Sequence, residues 1–379
     1  MNIKAKYIKV EKSKAHQLLQ FLKKDTHNKM ELDLNRKILY EENFVLFPYN
    51  SSIIKSKYIK RILKPYIKYK IVFRKPISST PRVIRSLKDS FSKELSKKLI
   101  KFVPNSYDVI GDIAILEFDR INMDTQEKYV KLKEKISERL LALNRSISTI
   151  YEKESEIKGV YRLRDLKRIK GEDKSETIHK ENNCQFKLDV KKTYFTPRLV
   201  FERKRLSSLN YKVGEKIIDL FAGVGPISIE IAKNHNVIIN AFDVNPDAYY
   251  YLKENINLNK VEGKIIAHQL DVIDLLDSKN EIGRILENKS NRIIMNLPEN
   301  ALDYIQVACF LLDKSGGFIH LYQFCEKPLT IKKSIQQAQL ELKKIGWQIE
   351  EITNAKVVKP YSPNADLTVL DLKVKKITN

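Results

Sequence analysis

Seven apolar runs in the second half of the chain have the length and spacing of β-strands. They lie at 217–221, 237–243, 264–269, 292–297, 317–324, 347–352 and 367–374. Helices are predicted between several of them, as at 301–312 and 331–345, and strands that alternate with helices are typical of a parallel sheet in an α/β fold. A proline-containing loop joins the last two runs, which predict a hairpin at the sheet edge. We therefore expect a seven-stranded α/β sheet.

The first half of the chain has shorter elements, which predict two smaller α/β domains. Residues 1–53 contain a predicted helix at 13–24 and predicted strands at 30–35 and 43–47. Residues 77–192 contain a predicted helix at 90–101, a turn at Gly111 between two short strands, and a helix at 126–143 with an apolar residue every three or four positions. The predicted organisation is a domain at 1–53, a linker at 54–76, a middle domain at 77–192 and the seven-stranded domain at 193–379.

An excess of basic residues indicates an anionic partner. The 379-residue chain has 70 Lys and Arg against 47 Asp and Glu, a formal net charge of +23, which favours nucleic acid. The run from Lys55 to Lys75, within the predicted linker, has nine Lys or Arg residues, three tyrosines and no acid. Such a run suits contacts with phosphates and bases, although a solvated, lysine-rich connector would have the same composition.

Several other classes of protein are not indicated. No apolar stretch reaches the roughly 18 to 20 residues that a membrane-spanning helix needs, and the N-terminus lacks the apolar core of a signal peptide. The three cysteines, Cys184, Cys309 and Cys325, lack the spacing of a zinc site or a disulfide framework. We therefore expect a cytoplasmic protein without a bound metal, whose cysteines are ordinary packing residues.

The segment IIDLFAGVGP at 217–226 predicts a site for a nucleotide-like cofactor. A strand leads directly into Gly223 and Gly225, where the lack of a side chain allows a ligand to approach the backbone, and Pro226 suits the first position of a helix. A dinucleotide site requires a third glycine three residues further on, where this chain has Ser228. This difference argues against NAD and FAD.

Aspartates follow the next two predicted strands. Asp243 lies about 20 residues after the turn, where a carboxylate is expected to bind a ribose, and Asp271 is placed to meet the edge of an adenine. Both could instead only cap the helices that follow them. Together with the glycine turn, they suit a nucleoside with a neutral or cationic tail. The pattern is similar to that of the AdoMet-dependent methyltransferases.

Two further segments contain charged residues suited to chemistry. The alternation at 161–164 predicts a strand with Arg162 and Arg164 on one face, where they would bind an anion or simply face solvent. Thr196 and the following proline predict the start of a helix, which would present Glu202 and Arg203 on its second turn. These two residues could act in catalysis or form surface ion pairs.

The fourth predicted strand of the large sheet ends in Asn296-Leu297-Pro298. Polar groups at this position lie in the crevice where α/β sheets bind ligands, and they could accept hydrogen bonds from the amino nitrogen of a base. The alternative is a strand that simply ends at a proline.

With these residues in place, the chain resembles the archaeal and eukaryotic tRNA (guanine-37-N1)-methyltransferases. The resemblance covers nearly the whole chain and rests on Ile110-Gly111-Asp112, the segment of Arg162, FTPRL at 195–199 with Glu202-Arg203, DLFAGVGP at 219–226, and Asn296-Leu297-Pro298. DLFAGVGP alone would indicate only the methyltransferase fold. Thr196 is a departure, because family members often have serine there.

The resemblance implies transfer of the methyl group of AdoMet to N1 of guanine 37 in tRNA, next to the anticodon, by a monomeric enzyme. It implies that Glu202 is the general base, that Arg162 stabilises charge on the guanine, and that Asn296 and Pro298 position the base. The implied cofactor-binding residues are Arg203, Asp219, Phe221, Gly223, Gly225, Asp243, Asp271 and Asn296. The two smaller domains would contact the tRNA.

The chemistry of this reaction requires a base and a cation. N1 of guanine is protonated at neutral pH, so a base must remove the proton, and partial burial is expected to raise the pKa of Glu202 towards neutrality. Negative charge then spreads to O6, where the Arg162 guanidinium would stabilise it. Two alternatives stay open. One is a wybutosine-pathway enzyme that transfers the aminocarboxypropyl group or methylates a tricyclic guanine derivative, and the other is a non-catalytic RNA-binding protein.

Overall fold

The computed structural model describes residues 5–24, 36–49, 63, 67–76, 87–92, 94–118 and 127–377. The predicted strand at 30–35 and most of the basic run at 55–75 lie outside the described residues. The chain divides into two compact units, Met1–Glu94 and Leu95–Asn379. The domain boundaries expected at residues 53, 76 and 192 stay predictions.

The first unit contains a four-stranded antiparallel sheet with the order β2-β3-β1-β4. The strands are β1 (Ala5–Glu11), β2 (Leu39–Glu41), β3 (Phe44–Pro48) and β4 (Tyr69–Arg74). Helix α1 (Lys12–Lys24) buries Leu18 against Ile8 and Phe47 of the sheet. Strand β4 lies within the segment predicted to be a linker. Its residues form a strand because their backbone pairs with β1, some 60 residues earlier in the chain. The short helix α2 (Leu87–Ser90) also belongs to this unit.

The second unit begins with helix α3 (Lys97–Ile100) and a mixed four-stranded sheet. The strands, in spatial order, are β5 (Asp108–Ile110), β6 (Ile113–Leu116), β7 (Thr149–Lys153) and β8 (Leu166–Gly171). Helix α4 (Glu127–Leu143) comes between the parallel strands β6 and β7, and its predicted apolar stripe is buried at Leu132, Ile136 and Leu140. The continuous helix predicted at 90–101 is wrong, because residues 91, 92 and 94–96 are not helical.

The predicted turn at Gly111 is confirmed between β5 and β6. Gly111 has φ +57°, and a Cβ there would lie 2.1 Å from Oγ1 of Thr177. Thr177 belongs to the hairpin of β9 (Glu176–Glu181) and β10 (Cys184–Asp189), which follows the β5–β8 sheet in the chain. A side chain at position 111 would therefore separate the sheet from this hairpin.

The large sheet of the second unit has seven strands in the order β13-β12-β11-β14-β15-β17-β16. The strands are β11 (Lys216–Asp219), β12 (Ile238–Asp243), β13 (Lys264–Gln269), β14 (Arg292–Met295), β15 (Gly317–Glu326), β16 (Trp347–Pro360) and β17 (Ala365–Lys376). Strand β17 is antiparallel to both of its neighbours, and the other pairs are parallel. The predicted seven-stranded α/β fold with a terminal hairpin is confirmed.

Helices cover both faces of this sheet. They are α5 (Val200–Ser207), α6 (Pro226–Asn234), α7 (Pro246–Leu258), α8 (Glu281–Leu286), α9 (Ile305–Leu311) and α10 (Thr330–Lys344). Leu206, Ile231 and Leu252 place α5, α6 and α7 in one core, whereas Val307 and Leu342 place α9 and α10 in the other. Among the described residues, no helix is long and apolar enough to cross a membrane.

Two asparagines, Asn255 in α7 and Asn259 directly after it, attach the β9–β10 hairpin to the large sheet. The Asn255 side chain accepts a hydrogen bond from the backbone N–H of Lys187 (2.7 Å) and donates one to its carbonyl oxygen (3.0 Å). Asn259 makes the same pair of bonds with Gln185, at 2.9 and 2.7 Å. The two side-chain amides therefore satisfy backbone N–H and C=O groups of β10 that would otherwise be unpaired at the edge of the hairpin.

The strand order reverses direction beside β11, since the chain runs from β11 towards β12 and β13 on one side and continues with β14 on the other. In open α/β sheets, ligands bind outside the carboxyl ends of the strands at such a point. Asp243, Asp271 and Asn296 all lie at the carboxyl ends of these strands. The topology therefore brings three residues that are up to 53 positions apart to one edge.

Candidate active site

A cavity of about 180 Å³ lies at this edge of the sheet. Its walls include most of the residues that the sequence predicts for the site: Arg162, Arg203, Phe221, Gly223, Asp243, Asp271, Asn296 and Pro298. Three other predicted residues, Glu202, Asp219 and Gly225, do not line the cavity. The predicted residues therefore divide into those that line the cavity and those that lie behind its walls.

The two glycines of the turn have different roles. Gly223 has φ +56°, and a Cβ there would have only the carbonyl oxygen of Tyr194, at 3.8 Å, within van der Waals range. Gly225 has φ +88°, and a Cβ there would lie 2.4 Å from Cδ1 of Leu252. Gly223 therefore leaves room for a ligand, whereas Gly225 allows α7 to pack closely on the start of α6.

Asp243 holds the turn in place. Its Oδ2 accepts a hydrogen bond from the backbone N–H of Gly223 (2.7 Å), and its Oδ1 accepts one from that of Asn245 (2.9 Å). Burial raises the pKa of Asp243, and these two hydrogen bonds oppose the increase. Each carboxylate oxygen has a second lone pair, so Asp243 can still accept hydrogen bonds from a ligand.

Asp271 caps a helix and also lines the cavity. Its Oδ1 accepts a hydrogen bond from the N–H of Ile273 (3.1 Å), at the start of a 3₁₀ turn at Val272–Leu276. The capping role and the ligand-binding role, which the sequence leaves as alternatives, are thus compatible at this residue.

Asp219 supports the turn from below. It is fully buried, and the hydroxyl of Ser228 donates a hydrogen bond to its Oδ2 (2.8 Å). Burial raises the pKa of Asp219 to about 7. Ser228 occupies the position of the third glycine in a dinucleotide site, and its hydroxyl here ties α6 to the end of β11. We therefore assign Asp219 an indirect role at the cofactor site.

Arg162 lies in a tight turn, so the predicted strand at 161–164 is wrong. Gly159 and Arg162 have φ of +68° and +55°, and the N–H of Arg162 donates a hydrogen bond to the carbonyl of Gly159 (3.0 Å). The alternation of apolar and basic residues is thus fortuitous, because the glycine directs the chain into a turn. The Arg162 guanidinium lies 5.1 Å from the centre of the Tyr194 ring and 2.9 Å from Oε2 of Glu299.

Arg203 is buried at the wall of the cavity and has several partners. It pairs with both carboxylate oxygens of Glu181, one at 2.7 Å, and donates hydrogen bonds to the carbonyl oxygen of Thr196 at 3.2 Å. Its guanidinium also lies 5.1 Å from the centre of the Phe195 ring. Arg203 therefore attaches α5 to strand β9 and fixes the segment at 194–196 that borders the cavity.

The predicted helix start at Thr196 and Pro197 is confirmed. Oγ1 of Thr196 accepts a hydrogen bond from the N–H of Arg198 at the start of a 3₁₀ turn at Pro197–Leu199, which leads directly into α5. A serine hydroxyl could make the same bond, so the departure at position 196 leaves this cap intact.

Glu202, in the first turn of α5, is buried and has three partners. Its carboxylate accepts hydrogen bonds from Arg205 (2.7 Å) and from the hydroxyl of Tyr322 (2.9 Å), and it forms an ion pair with Lys356 (2.8 Å). Burial alone would raise the pKa of Glu202, but the bonds from Arg205 and Lys356 outweigh it and the pKa is lowered. The expectation of a raised pKa is therefore wrong, because two cations, Arg205 in the same helix and Lys356 far along the chain, pair with the buried carboxylate.

Asn296 and Pro298 follow β14 at the cavity wall. Among the described residues, the Asn296 side chain has no hydrogen-bond partner. The carbonyl oxygen of Pro298 accepts a hydrogen bond from the N–H of Phe324 (2.9 Å), and the Phe324 ring stacks on Tyr361 at 3.8 Å. The amide of Asn296 is thus available to a ligand beside an aromatic wall.

Sequence reasoning missed several residues of the cavity. Tyr304 packs edge-on against Phe221, with 5.0 Å between the ring centres, and Tyr194, Phe324, Lys359 and Tyr361 complete the walls. No local pattern marks these residues, because they come from four separate segments. The described residues contain no group of three or more His, Cys, Asp or Glu side chains that could hold a metal ion. All three cysteines are buried and unpaired, as expected for packing residues.

Comparison with known proteins identifies the family. A model of the TRM5/TYW2 methyltransferase domain matches residues 177–350, and a model of the TYW2 N-terminal domain matches residues 87–174. The chain is 33% identical over 343 residues to the tRNA (guanine(37)-N(1))-methyltransferase Trm5b of Pyrococcus abyssi, over 90% of this chain and 92% of the relative. The chain belongs to the TRM5/TYW2 methyltransferase family.

Two further members are informative. The tRNA(Phe) (4-demethylwyosine(37)-C(7)) aminocarboxypropyltransferase of Pyrococcus horikoshii is 30% identical over 288 residues, which cover 76% of this chain and 96% of that protein. The crystal structure of Methanocaldococcus jannaschii Trm5 in complex with adenosine superposes with a TM-score of 0.60 and 29% identity, over 99% of this chain and 100% of that one. The family confirms both the predicted resemblance and AdoMet as the cofactor.

Proposed function

We propose that this TRM5/TYW2 protein transfers the methyl group of AdoMet to N1 of guanine 37 in tRNA. The observation that supports this most strongly is that one cavity is lined both by cofactor-type residues, Gly223, Asp243 and Asp271, and by the polar residues Arg162 and Asn296. A cofactor and a base could therefore meet in this cavity. The close relative from Pyrococcus abyssi is named for the same reaction.

The residues at one end of the cavity fit an adenosine cofactor. The free lone pairs of Asp243 can accept hydrogen bonds from ribose hydroxyls, and Asp271 lies where it can accept one from an adenine amino group. The open space at Gly223 allows close approach to the backbone. When bound, AdoMet supplies an electrophilic methyl group on a sulfonium. Gly225 and Asp219 would act indirectly, by shaping the turn, and Arg203 by fixing the cavity wall.

Arg162 is placed to stabilise negative charge on a guanine. Its Nη1 is buried and has no acceptor in hydrogen-bond alignment among the described residues, although Glu299 lies within ion-pair distance. A ligand oxygen aligned with this donor would therefore gain a hydrogen bond that Glu299 does not make. O6 of a guanine that loses its N1 proton is such an acceptor, so the guanidinium would interact more strongly as the charge develops.

Asn296 and Pro298 are proposed to position the base. The unpartnered amide of Asn296 can both donate to and accept from the Watson–Crick edge of guanine. The Phe324 and Tyr361 rings beside it offer a face for the base to pack on, as is common for unstacked bases in RNA loops. A base held in this way is aligned for in-line methyl transfer.

Glu202 is proposed as the general base. Its lowered pKa keeps the carboxylate ionised at neutral pH and so able to accept a proton. It must first exchange one of its partners for N1 of the guanine. Lys356 is the partner that can leave most easily, because 41% of its side chain is exposed, against 21% for Arg205. Arg205 and Tyr322 would then keep the carboxylate in position.

The partner of the chain is tRNA. We propose further that the enzyme acts as a monomer in the cytoplasm and without a metal ion, because residues of one chain suffice for every role proposed above and the reaction needs only a base, a cation and AdoMet. Light scattering of the purified protein tests the oligomeric state, and activity in the presence of EDTA tests the need for a metal. An oligomer, or loss of activity in EDTA, would contradict them.

Aminocarboxypropyl transfer is the second candidate. It is supported by the match of residues 87–174 to a TYW2 N-terminal domain and by the relative from Pyrococcus horikoshii. That relative is covered almost fully yet corresponds to only 76% of this chain, whereas the methyltransferase from Pyrococcus abyssi corresponds to 90%. Methyl transfer therefore accounts for more of the chain.

AdoMet labelled in two places separates these reactions. The full chain is incubated with tRNA and AdoMet that carries one label on the methyl group and another on the carboxyl carbon of the amino acid portion. We expect only the methyl label in the RNA. Incorporation of the carboxyl label would favour aminocarboxypropyl transfer, and no incorporation with any tRNA would favour a non-catalytic RNA-binding protein.

A further inference from the structure

A second cavity, of about 200 Å³, adjoins the candidate active site within the second unit. The two cavities share wall residues, among them Arg162, Tyr194 and Lys359. Five basic side chains line the second cavity, from Lys153, Arg162, Arg164, Arg198 and Lys359, against one acidic side chain, that of Asp108. An unfilled space with this excess of positive charge favours an anionic ligand.

Two of the basic side chains form no ion pair within the described part of the chain. Arg164 and Lys359 are both half-buried, and among the described residues neither makes a side-chain hydrogen bond or an ion pair. Burial lowers the pKa of Lys359, and the positive charge of Arg198 lowers it further. Removing a cation from water without pairing it is unfavourable, so such residues are retained where a ligand provides the charge.

Two other basic residues of this cavity, Arg198 and Lys153, are paired with carboxylates. Arg198 donates a hydrogen bond to Oδ1 of Asp108 at 2.6 Å, and Lys153 donates one to Oε2 of Glu117 at 3.0 Å. These two pairs use Asp108, which lines the cavity, and Glu117, which lies outside its lining. Asp108 and Glu117 are therefore already paired with other cations, and neither forms an ion pair with Arg164 or Lys359.

We propose that the second cavity binds a phosphate group of the tRNA backbone directly next to the target guanosine, through Arg164 and Lys359. The proposal rests on the proposed function, since it takes the base in the first cavity to be guanine 37. In a nucleotide whose base enters the first cavity, the phosphates are only a few bonds from that base. The second cavity adjoins the first at Arg162 and Lys359, so it lies where such a phosphate could bind. Phosphate binding there would fix the register of the anticodon loop, because phosphate contacts position a nucleic acid while base contacts specify it.

The test is a double-mutant cycle between one side chain and one phosphate. Full-length tRNA is assembled with a single uncharged methylphosphonate linkage, either 5′ or 3′ of guanosine 37, and its dissociation constant is measured with the full-length wild-type protein and with Arg164→Gln. We expect one of the two linkages to weaken wild-type binding roughly tenfold or more, as for loss of a charge-assisted hydrogen bond. Arg164→Gln should weaken binding of unmodified tRNA by a similar factor.

The decisive result is the combination of both changes. If Arg164 contacts that phosphate, the uncharged linkage should weaken binding to Arg164→Gln several-fold less than it weakens binding to wild type, because one of the two proposed contacts is already lost. Multiplicative losses at both linkages, or no loss in any combination, would overturn the proposal. Lys359→Gln gives a second, independent cycle if Arg164→Gln does not fold.

Two controls separate this inference from the proposed function and from general charge effects. AdoMet affinity, measured by calorimetry, should be unchanged in Arg164→Gln, since Arg164 lines only the second cavity. Lys343→Gln removes an exposed charge at the end of α10 and should change tRNA affinity less than twofold. If the wild type methylates guanosine 37 with every linkage equally well, only this inference fails. If it methylates no tRNA, the proposed function fails.

Discussion

Substitution of the two glycines of the turn should separate stability from cofactor binding. In Gly225→Ala, the new methyl group would lie 2.4 Å from Cδ1 of Leu252 and 3.0 Å from Cδ1 of Ile229, at a φ of +88°. In Gly223→Ala, it would have only one atom within 4 Å, the Tyr194 carbonyl oxygen at 3.8 Å, at a φ of +56°. The first methyl group enters a packed helix interface, and the second enters the cavity.

The expected magnitudes follow from these two environments. Left-handed backbone costs a residue with a Cβ about 1 to 2 kcal/mol, and both variants bear this cost. Gly225→Ala adds an overpacking cost of about 1 to 3 kcal/mol, because Leu252 is fully buried. For a large domain, each kcal/mol lowers Tm by about 2 to 4 °C, so Gly225→Ala should lower Tm by roughly 5 to 15 °C. Gly223→Ala should lower it by less than half as much.

Thermal unfolding and calorimetry with AdoMet measure the two effects. Gly223→Ala should bind AdoMet at least tenfold more weakly at a temperature where it is fully folded, whereas folded Gly225→Ala should bind it within a few-fold of wild type. Gly214→Ala is a matched control for strain, since Gly214 has φ +75° and no atom within 4 Å of its Cβ position. Wild-type affinity in Gly223→Ala, or wild-type stability in Gly225→Ala, would refute the different roles of the two glycines.

Three further predictions concern the proposed catalytic residues and a buried acid. Glu202→Gln should reduce the single-turnover rate of methyl transfer by about 10² to 10⁴ and leave AdoMet affinity unchanged; a full rate would rule out Glu202 as the base. Asn296→Ala should slow single-turnover methyl transfer about tenfold to a hundredfold, as expected for one hydrogen bond to the base; an unchanged rate would remove Asn296 from the site. Burial, together with the charge of Glu181, raises the pKa of Glu230 to about 8. The folded state therefore keeps a proton that the unfolded chain releases above about pH 4.3. The free energy of unfolding should decrease as pH rises from about 4.3 to about 8. Urea unfolding at pH 5 and pH 8 should therefore show Glu230→Gln gaining stability relative to wild type as pH rises, and a gain that does not depend on pH would contradict this.

Local patterns predicted the parts of the fold that depend on neighbouring residues. The strand and glycine turn at 216–225 were predictable because an apolar strand, two glycines and a proline occur in sequence order. The apolar stripe of α4 was predictable from its spacing alone. Strand β4 was not, because it forms only by pairing with β1, far away in the chain. Likewise, the turn at Arg162 depends on the backbone of Gly159, and the alternation of residues around it resembles a strand.

The chemical environment of the site was less predictable than its membership. Sequence placed Glu202 correctly on the first helix after Thr196, but its pKa depends on Lys356, 154 residues later, and on its burial beside Tyr322. The same holds for Lys359, whose lack of a counter-ion is a property of the folded cavity. Residue types and spacing therefore predict which groups gather at a sheet edge, whereas charge pairing and pKa depend on contacts between distant segments.

The most direct test of the proposed function is to locate the methyl group in the product. The full chain is incubated with AdoMet and an unmodified tRNA transcript that has guanosine at position 37, and with a matched transcript that has adenosine there. The nuclease digests are then examined by mass spectrometry. We predict N1-methylguanosine at position 37 of the first transcript and no methylation of the second. Unmodified guanosine at position 37, or a methyl group at another position, would contradict the proposed function.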